Sequence, residues 1–466
     1  MITVSSNENP GPRPNRRDFI KGFAAAALAA PLVPRPSFLA APPSCIVIGA
    51  GLSGLMAAHT LRKADWDVTV LDARARTGGR VYSFSFDNSH LISELGAEWI
   101  GRSHTRVIHL CEELKLPLQP HHFRTWLMLN GVVSKPDHWD FSPTAKEAFK
   151  KLEEEYKKSS IEERKKLDRY DWWTQLARVG FPEEDLLLRD LADSTDFGES
   201  IRDVSAYSAA SEYFESDSHF NEMDFKVIGG NSRLVDEMAN RIGKERIQLN
   251  TKVVSIREAS GKVHVTSSDG KSFVADACIC TAPSRMLLRI EFDPPLHSEQ
   301  LAAARELQYS RIVKNSVLFR SRFWKDEDFS MVSDVTSHFY FHSTQKQPGR
   351  QGILCSYAIG EKADVLAAQG PERRKRIITN DLAPFNPAAP ALASKIMSYA
   401  WQRDPYTEGA YAIYRPGQLG VRDKLRKPHG KILFAGEHLA EWQGFMEGAV
   451  VTGEEAANML IGKSRG

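Results

Sequence analysis

Ser44-Cys45-Ile46-Val47-Ile48-Gly49-Ala50-Gly51-Leu52-Ser53-Gly54 is an apolar run that breaks into three glycines, and its surroundings decide the fold. A helix-like stretch from Leu55 to Lys63 follows, then a second strand-like run, Asp67-Val68-Thr69-Val70-Leu71, which ends at Asp72. Strand, glycine turn, helix and strand form the βαβ setting in which G-x-G-x-x-G carries meaning. Gly49 permits the tight turn, Gly51 lets the backbone approach a pyrophosphate, and Gly54 allows close packing of helix on strand. The helix N-terminus, with Ser53 in the motif, then turns unpaired N–H groups toward the phosphates. Asp72 is placed to bridge adenosine ribose hydroxyls and argues against a 2′-phosphate, hence against NADP.

The next ten residues choose between dinucleotides. Asp72-Ala73-Arg74-Ala75-Arg76-Thr77-Gly78-Gly79-Arg80-Val81 is a basic, glycine-bearing loop able to reach the pyrophosphate from the other side. A simple nicotinamide domain needs no such loop, so the expected ligand is FAD. The segment resembles the E-A-R-x-R-x-G-G-R signature of the flavin amine oxidases, with Asp72 one methylene shorter than the usual Glu. The resemblance covers nearly all of the chain beyond the N-terminal segment. It implies an α/β fold in which a Rossmann-like, GR2-type FAD-binding domain is interleaved with an α+β substrate-binding domain. The expected boundaries are 44–120, 224–285 and 425–466 for the first, and 121–223 and 286–424, with a helical insertion, for the second.

The same resemblance assigns cofactor contacts. Ala73, Arg74, Gly79 and Arg80 belong to the signature loop, and Glu94-Leu95-Gly96-Ala97-Glu98-Trp99-Ile100-Gly101 resembles a second FAD segment. In that segment Gly96, Ala97, Glu98 and Trp99 run along the flavin; the plainer alternative is a strand end with a core tryptophan. Val253 is expected at the adenine through its backbone, or else as an ordinary core valine, and Trp401 beside the cofactor. Lys431-Ile432-Leu433-Phe434-Ala435-Gly436-Glu437 is a strand that enters a glycine turn, and Glu441-Trp442-Gln443-Gly444-Phe445-Met446-Glu447-Gly448 opens the last helix. Glu437 is implied at the ribityl chain or pyrophosphate, and Met446 through its backbone N–H. A helix N-terminus there would direct N–H groups at the flavin carbonyl where negative charge builds up on reduction.

Three residues are implied in the chemistry. Lys314, in the strand-like run Ser310-Arg311-Ile312-Val313-Lys314-Asn315, aligns with the family lysine that approaches the flavin through a water and assists its reoxidation. Tyr411 and Phe445 align with two aromatics that form a cage for the incoming amine; a core-packing role is the alternative for each. Ala410 stands where the mammalian monoamine oxidases carry a flavin-linked cysteine, so FAD is expected to be held non-covalently. The implied reaction is oxidative deamination of a primary amine or L-amino acid, with oxygen or a redox carrier as acceptor. A same-fold dehydrogenase and a non-catalytic FAD-binding protein stand as alternatives. Gly101, where polyamine oxidases tend to carry an acid, argues mildly against a polyamine. An amino acid would need a cation for its carboxylate, and Arg102 and Arg106 are the nearby candidates, with His104 a further polar one.

Elsewhere the pattern is less specific. Residues 141–167 read as one charged amphipathic helix with Phe149, Leu152 and Tyr156 on its apolar face. Runs 263–266 and 272–275, joined through Asp269-Gly270, read as a hairpin. Composition excludes other classes. The 61 basic residues balance 59 acidic ones, so no field draws nucleic acid, and 42% hydrophobic content is globular. Five cysteines make no disulfide framework. Cys278 and Cys280 share a strand face, but without a second ligand cluster no metal site is expected.

Asn15-Arg16-Arg17-Asp18-Phe19-Ile20-Lys21 precedes an alanine-rich apolar run and closely matches a twin-arginine export signal covering residues 1–41. A Sec signal or uncleaved anchor is the other reading, but the run is shorter than the ~20 apolar residues that span a bilayer, and no stable membrane span is expected. The expected location is periplasmic or extracellular, with the twin-arginine translocase as a partner during export.

Overall fold

Strand Ser44–Ile48 lies at the centre of a five-stranded parallel sheet, between Ala277–Cys280 and Asp67–Leu71, with Ile432–Phe434 and Ile247–Gln248 at the edges. The chain is described from a computed structural model over residues 41–87, 89–215 and 223–465. The expected export signal, with Arg16 and Arg17, lies outside the described residues. A parallel sheet is covered on both faces, which is why its strands read as continuous apolar runs. Cys45 and Val47 face one core with Leu55, Leu61 and Val450, while Ile46 and Ile48 face another with Ile256 and Leu425.

The helix after the glycine turn is Leu52–Lys63, three residues longer at its start than the apolar pattern suggests. Gly51 is its N-cap, in extended conformation, and its carbonyl accepts from the Leu55 N–H at 2.9 Å. The third motif glycine therefore sits within the first helical turn. A Cβ on Gly54 would lie 1.9 Å from the Gly49 carbonyl oxygen, so only glycine lets helix and strand approach this closely. Gly49 itself has φ +105°, a conformation costly for any side chain. The final helix, Met446–Arg465, packs along Leu52–Lys63 in the same way, with a Gly453 Cβ position 2.2 Å from the Ser53 carbonyl.

A seven-stranded sheet forms the other layer, ordered Ala393–Ala400, Ile312–Phe319, Gly352–Ile359, Phe339–His342, Phe329–Ser333, Arg124–Leu129, Val132–Ser134. All eight residues of Ile312–Phe319 are buried, because the strand is interior to the sheet and both of its faces are covered, Val313, Val317 and Phe319 by one core and Ile312 and Leu318 by others. A four-stranded sheet contains the expected hairpin, Lys262–Ser267 with Ser272–Ala275, and Gly270 takes φ +82° in its turn. Strand Glu291–Asp293 pairs in parallel with Val253–Ala259, across the expected boundary at 285/286.

The amphipathic stretch 141–167 is two helices instead of one, Pro143–Lys158 and Ile161–Lys165. Ser159 and Ser160 are extended, and Ser160 with Glu163 forms a capping box that restarts the chain as a new helix. Its apolar face, Ala145, Leu152 and Tyr156, packs on Trp172 and Phe214 of the neighbouring helices.

All five cysteines are unpaired and buried. Burial pushes the Cys280 thiol up to about 11 and holds that of Cys278 well above the ordinary thiol value, so neither is a ready nucleophile. Native protein is expected to leave a thiol reagent unreacted over an hour-scale assay and to titrate all five after unfolding. Rapid labelling of the folded protein would contradict this packing. Among the described residues no cluster of His, Cys, Asp or Glu is arranged to hold a metal, and no helix is long and apolar enough to cross a membrane.

Candidate active site

The carboxyl ends of the parallel strands open onto a cavity of about 320 Å³, within the ~300–1,000 Å³ of an ordinary small-molecule site. Every residue that the sequence suggested for the cofactor or the flavin chemistry lines it, except Gly54, which packs behind the turn; Arg102, His104 and Arg106, suggested for the substrate, do not. At one end Gly51 and Ser53 begin the long helix, which has no side-chain cap. Nothing lies within 4 Å of a Cβ built on Gly51, and the Ser53 Oγ is buried without a hydrogen-bond partner. Open space, an uncapped helix start and an orphan hydroxyl together fit a phosphate-bearing group.

Asp72 accepts from the Ala50 and Arg74 N–H groups, each at 2.7 Å, and joins the glycine turn to the signature loop. Burial raises its pKa and those two N–H groups oppose the rise. Ala73 and Val253 line the same end, where Asn250 and Thr251 hydrogen-bond to the backbone of Arg74 and Asp72. Arg74 forks onto Asp404 at 2.6 and 2.7 Å. Burial works to raise the Asp404 carboxyl, yet hydrogen bonds from Arg74 and Tyr399 outweigh it and hold the pKa at about 2. Arg80 pairs with Glu437 and donates to the Ala410 carbonyl at 2.7 Å. The second oxygen of Glu437 accepts from the Gly444 N–H at 3.0 Å. One ion pair thus fastens the N-terminal signature loop to the C-terminal glycine turn, close to Met446 and Gly79.

The middle of the cavity holds a buried charge cluster. Lys314 donates to Glu98 at 2.7 Å and to the Gly96 carbonyl at 2.9 Å, and its ammonium lies 5.2 Å from the Trp99 ring. Lys226 reaches the other Glu98 oxygen at 3.2 Å and the Ser343 carbonyl at 3.0 Å. Glu98, Lys314 and Lys226 are 2%, 3% and 2% exposed, so one carboxylate sits between two almost wholly buried lysine side chains. His121, fully buried, approaches Glu98 at 3.7 Å, and burial drives its pKa well below the usual value. Trp401 closes this region with its indole N–H on the Leu95 carbonyl at 2.8 Å, beside Gly96 and Ala97.

The far end is aromatic and acidic. The Tyr411 hydroxyl donates to the Asp196 carbonyl at 2.6 Å and meets the Tyr357 hydroxyl at 3.1 Å; burial raises both phenols. Phe445 packs against His104 and Trp442, ring centres 5.0 Å from each. Burial, then the neighbouring Asp193, raise the Asp196 carboxyl to about 7. Arg102 and Arg106 do not line the cavity; Arg106 is bound to Glu454 at 2.6 and 2.7 Å, and Arg102 is exposed beside Asp224.

Sequence reasoning missed Lys226, Asp404, Tyr357 and Asp196. Lys226, in Phe225–Val227, carried the one usable hint, a lysine inside a short apolar strand. Tyr357 pairs across the sheet with Lys314, a register no local pattern encodes.

Residues 52–461 match the family model for flavin containing amine oxidoreductases. An L-amino-acid oxidase of Bothrops moojeni is 27% identical over 459 residues, covering 89% of each chain, and one of Vipera ammodytes ammodytes is 27% identical over 89% of this chain and 92% of its own. Cyclohexylamine oxidase from Brevibacterium oxydans shares the fold with a TM-score of 0.81 at 24% identity, over 91% of this chain and 100% of its own. Wild-type putrescine oxidase bound to putrescine does so at 0.80 and 24%, over 90% and 99%. With a dinucleotide cradle at one end, a buried lysine in the middle and a family match that spans both, the chain belongs to the flavin containing amine oxidoreductases.

Proposed function

We propose that the chain is an FAD-dependent oxidase that converts a primary amine or L-amino acid to an imine, which water hydrolyses to a carbonyl compound and ammonia while oxygen is reduced to hydrogen peroxide. The observation that carries this is the single cavity that joins the Gly51–Ser53 cradle to Lys314, Tyr411 and Phe445. When bound, FAD supplies the acceptor that takes hydride from the carbon bearing the amine and passes two electrons onward.

The chain's own residues do the rest. Gly49, Gly51 and Ser53 would hold the pyrophosphate, with Gly54 keeping the helix close; Asp72 would hold the ribose, and Ala73, Arg74, Gly79, Arg80 and Val253 would complete that end. Gly96, Ala97, Trp99, Trp401, Glu437 and Met446 would line the flavin. Glu98 holds Lys314 in place by accepting a hydrogen bond from its Nζ. Trp99, Tyr357, Tyr411 and Phe445 exclude water around the substrate nitrogen, which disfavours the ammonium form and leaves the lone pair that must form the C=N bond. Ala410 offers only a methyl group, and among the described residues no cysteine or histidine lines the cavity, so the cofactor is held without a covalent bond.

The two interleaved domains with the boundaries given above, and export by the twin-arginine route to the periplasm or beyond, are part of the same proposal. Arg16 and Arg17 support the export route. Anaerobic mixing of holoenzyme with a panel of amines and amino acids is expected to bleach the flavin, and admitted air to restore it with one peroxide per turnover. Absence of bleaching across the panel sinks the proposal; bleaching that air does not reverse points to a carrier as electron acceptor.

A further inference from the structure

The proposed oxidase leaves open whether its substrate carries a carboxylate, and the charges around the cavity bear on that. An α-carboxylate brought out of water needs a cation, preferably a forked one. Five cationic side chains line the cavity: Arg74, Arg80, Lys252, Arg289 and Lys314. Arg74 is forked onto Asp404, and Arg289, which also donates to the Pro405 carbonyl, is paired with Glu408. Lys252 is exposed and adjoins Thr251 and Val253 on the Asp72 side. These three belong to the dinucleotide end. Arg80 is paired with Glu437, and Lys314 with Glu98, so both central cations already have a carboxylate.

Beyond Lys314, toward Tyr357 and Tyr411, the titratable groups lining the wall besides the two tyrosines are acids, Asp196 and Glu212, set among Phe197, Val204 and Ile312. Arg102 and Arg106, the nearest arginines in sequence to the second cofactor segment, stand outside the cavity, and Arg106 is committed to Glu454.

We infer that the substrate is an amine without an α-carboxylate, and that the cavity rejects amino acids. The inference rests on the proposed oxidase function and narrows it. A bound amino acid would set its carboxylate in an aromatic pocket beside acidic side chains, where among the described residues no Lys or Arg without a carboxylate partner lines the wall. An amine of the same skeleton would meet aromatic faces, which attract a cation, and brings no carboxylate to be desolvated. The ammonium gives its proton to water before the amine reaches the aromatic end, where burial favours the neutral form, and its carbon skeleton lies against apolar surface.

The test compares each amino acid with its decarboxylated twin on the holoenzyme. 2-Phenylethylamine is set against L-phenylalanine, 3-methylbutylamine against L-leucine, and cadaverine against L-lysine. Anaerobic flavin bleaching is followed by stopped flow, and equilibrium binding by perturbation of the flavin spectrum with 3-phenylpropanoate, a non-reacting carboxylate. At least one amine is expected to bleach the flavin about a thousandfold faster than its twin at equal concentration, a difference in keeping with an unpaired desolvated charge. The carboxylate is expected not to perturb the spectrum. An amino acid that bleaches as fast as its amine, or tight binding of 3-phenylpropanoate, overturns the inference and leaves the oxidase function standing. Bleaching by none of the six, and by no other member of the wider panel, removes both.

Discussion

Gly51→Ala is expected to fold normally and to lose its flavin, whereas Gly54→Ala is expected to lose both flavin and fold. The two glycines are three residues apart and belong to one motif, yet their surroundings are opposite. Gly51 has φ −75° and ψ 177°, which alanine adopts without strain, and its Cβ would point into open cavity space. Apo-protein stability should therefore stay within about 1 kcal/mol of the parent, with a slight gain as possible as a loss. The methyl group would occupy the space through which backbone approaches a pyrophosphate. Overpacking of about 1–3 kcal/mol weakens FAD binding by roughly five- to two-hundredfold. At Gly54 the Cβ meets the Gly49 carbonyl at 1.9 Å, and helix and strand cannot separate without opening the core around Leu55 and Val47. A loss above about 4 kcal/mol belongs to such a clash. Flavin content by absorbance and unfolding of the apo-proteins by denaturant separate the two outcomes. Retention of full FAD affinity by Gly51→Ala would show that the pyrophosphate lies elsewhere.

Glu98→Ala is expected to cost about 3–5 kcal/mol of stability, the range for stranding a buried charge. Here one carboxylate serves two ammonium groups, Lys314 and Lys226, each almost wholly buried. Its removal leaves Lys314 with the Gly96 carbonyl and Lys226 with the Ser343 carbonyl as partners. Lys226→Met in the same chain should recover part of the loss, because it removes one of the two stranded charges, and a double-mutant cycle by urea unfolding measures the coupling. The variant that still binds FAD should also reoxidise more slowly after anaerobic reduction, by about tenfold or more, since Lys314 is no longer fixed. Glu98→Gln keeps the shape and hydrogen-bonding reach without the charge, so it should recover orientation more than stability. Full stability in Glu98→Ala would mean that water reaches the cluster.

These two predictions also separate what is local in the sequence from what is not. The glycine motif, the acid at Asp72 and the signature loop to Arg80 are contiguous, and the strand, turn and helix they specify follow from spacing and backbone sterics alone. The hairpin over 262–275 was legible for the same reason, since a turn and two alternating runs are near neighbours. The break at Ser159 and Ser160 was less so: the apolar spacing continues through it, and only the capping geometry of Ser160 with Glu163 shows two helices. Among the residues suggested for the cofactor, Gly54 is the one that does not line the cavity, because its contribution is the absence of a side chain between two backbones.

From the sequence by itself came the dinucleotide-binding α/β architecture, the expectation of FAD, and the set of segments that meet around one cavity. The tertiary structure decided which charges those segments bring into contact. Lys314 with Glu98 spans 216 residues of chain, Lys226 with Glu98 spans 128, and Arg74 with Asp404 spans 330. No local pattern records such pairs, because each depends on strand register and helix docking settled by the whole core. The charge balance of the substrate end is therefore a property of the fold, whereas the cradle for the cofactor is already written in the run from Ser44 to Gly54.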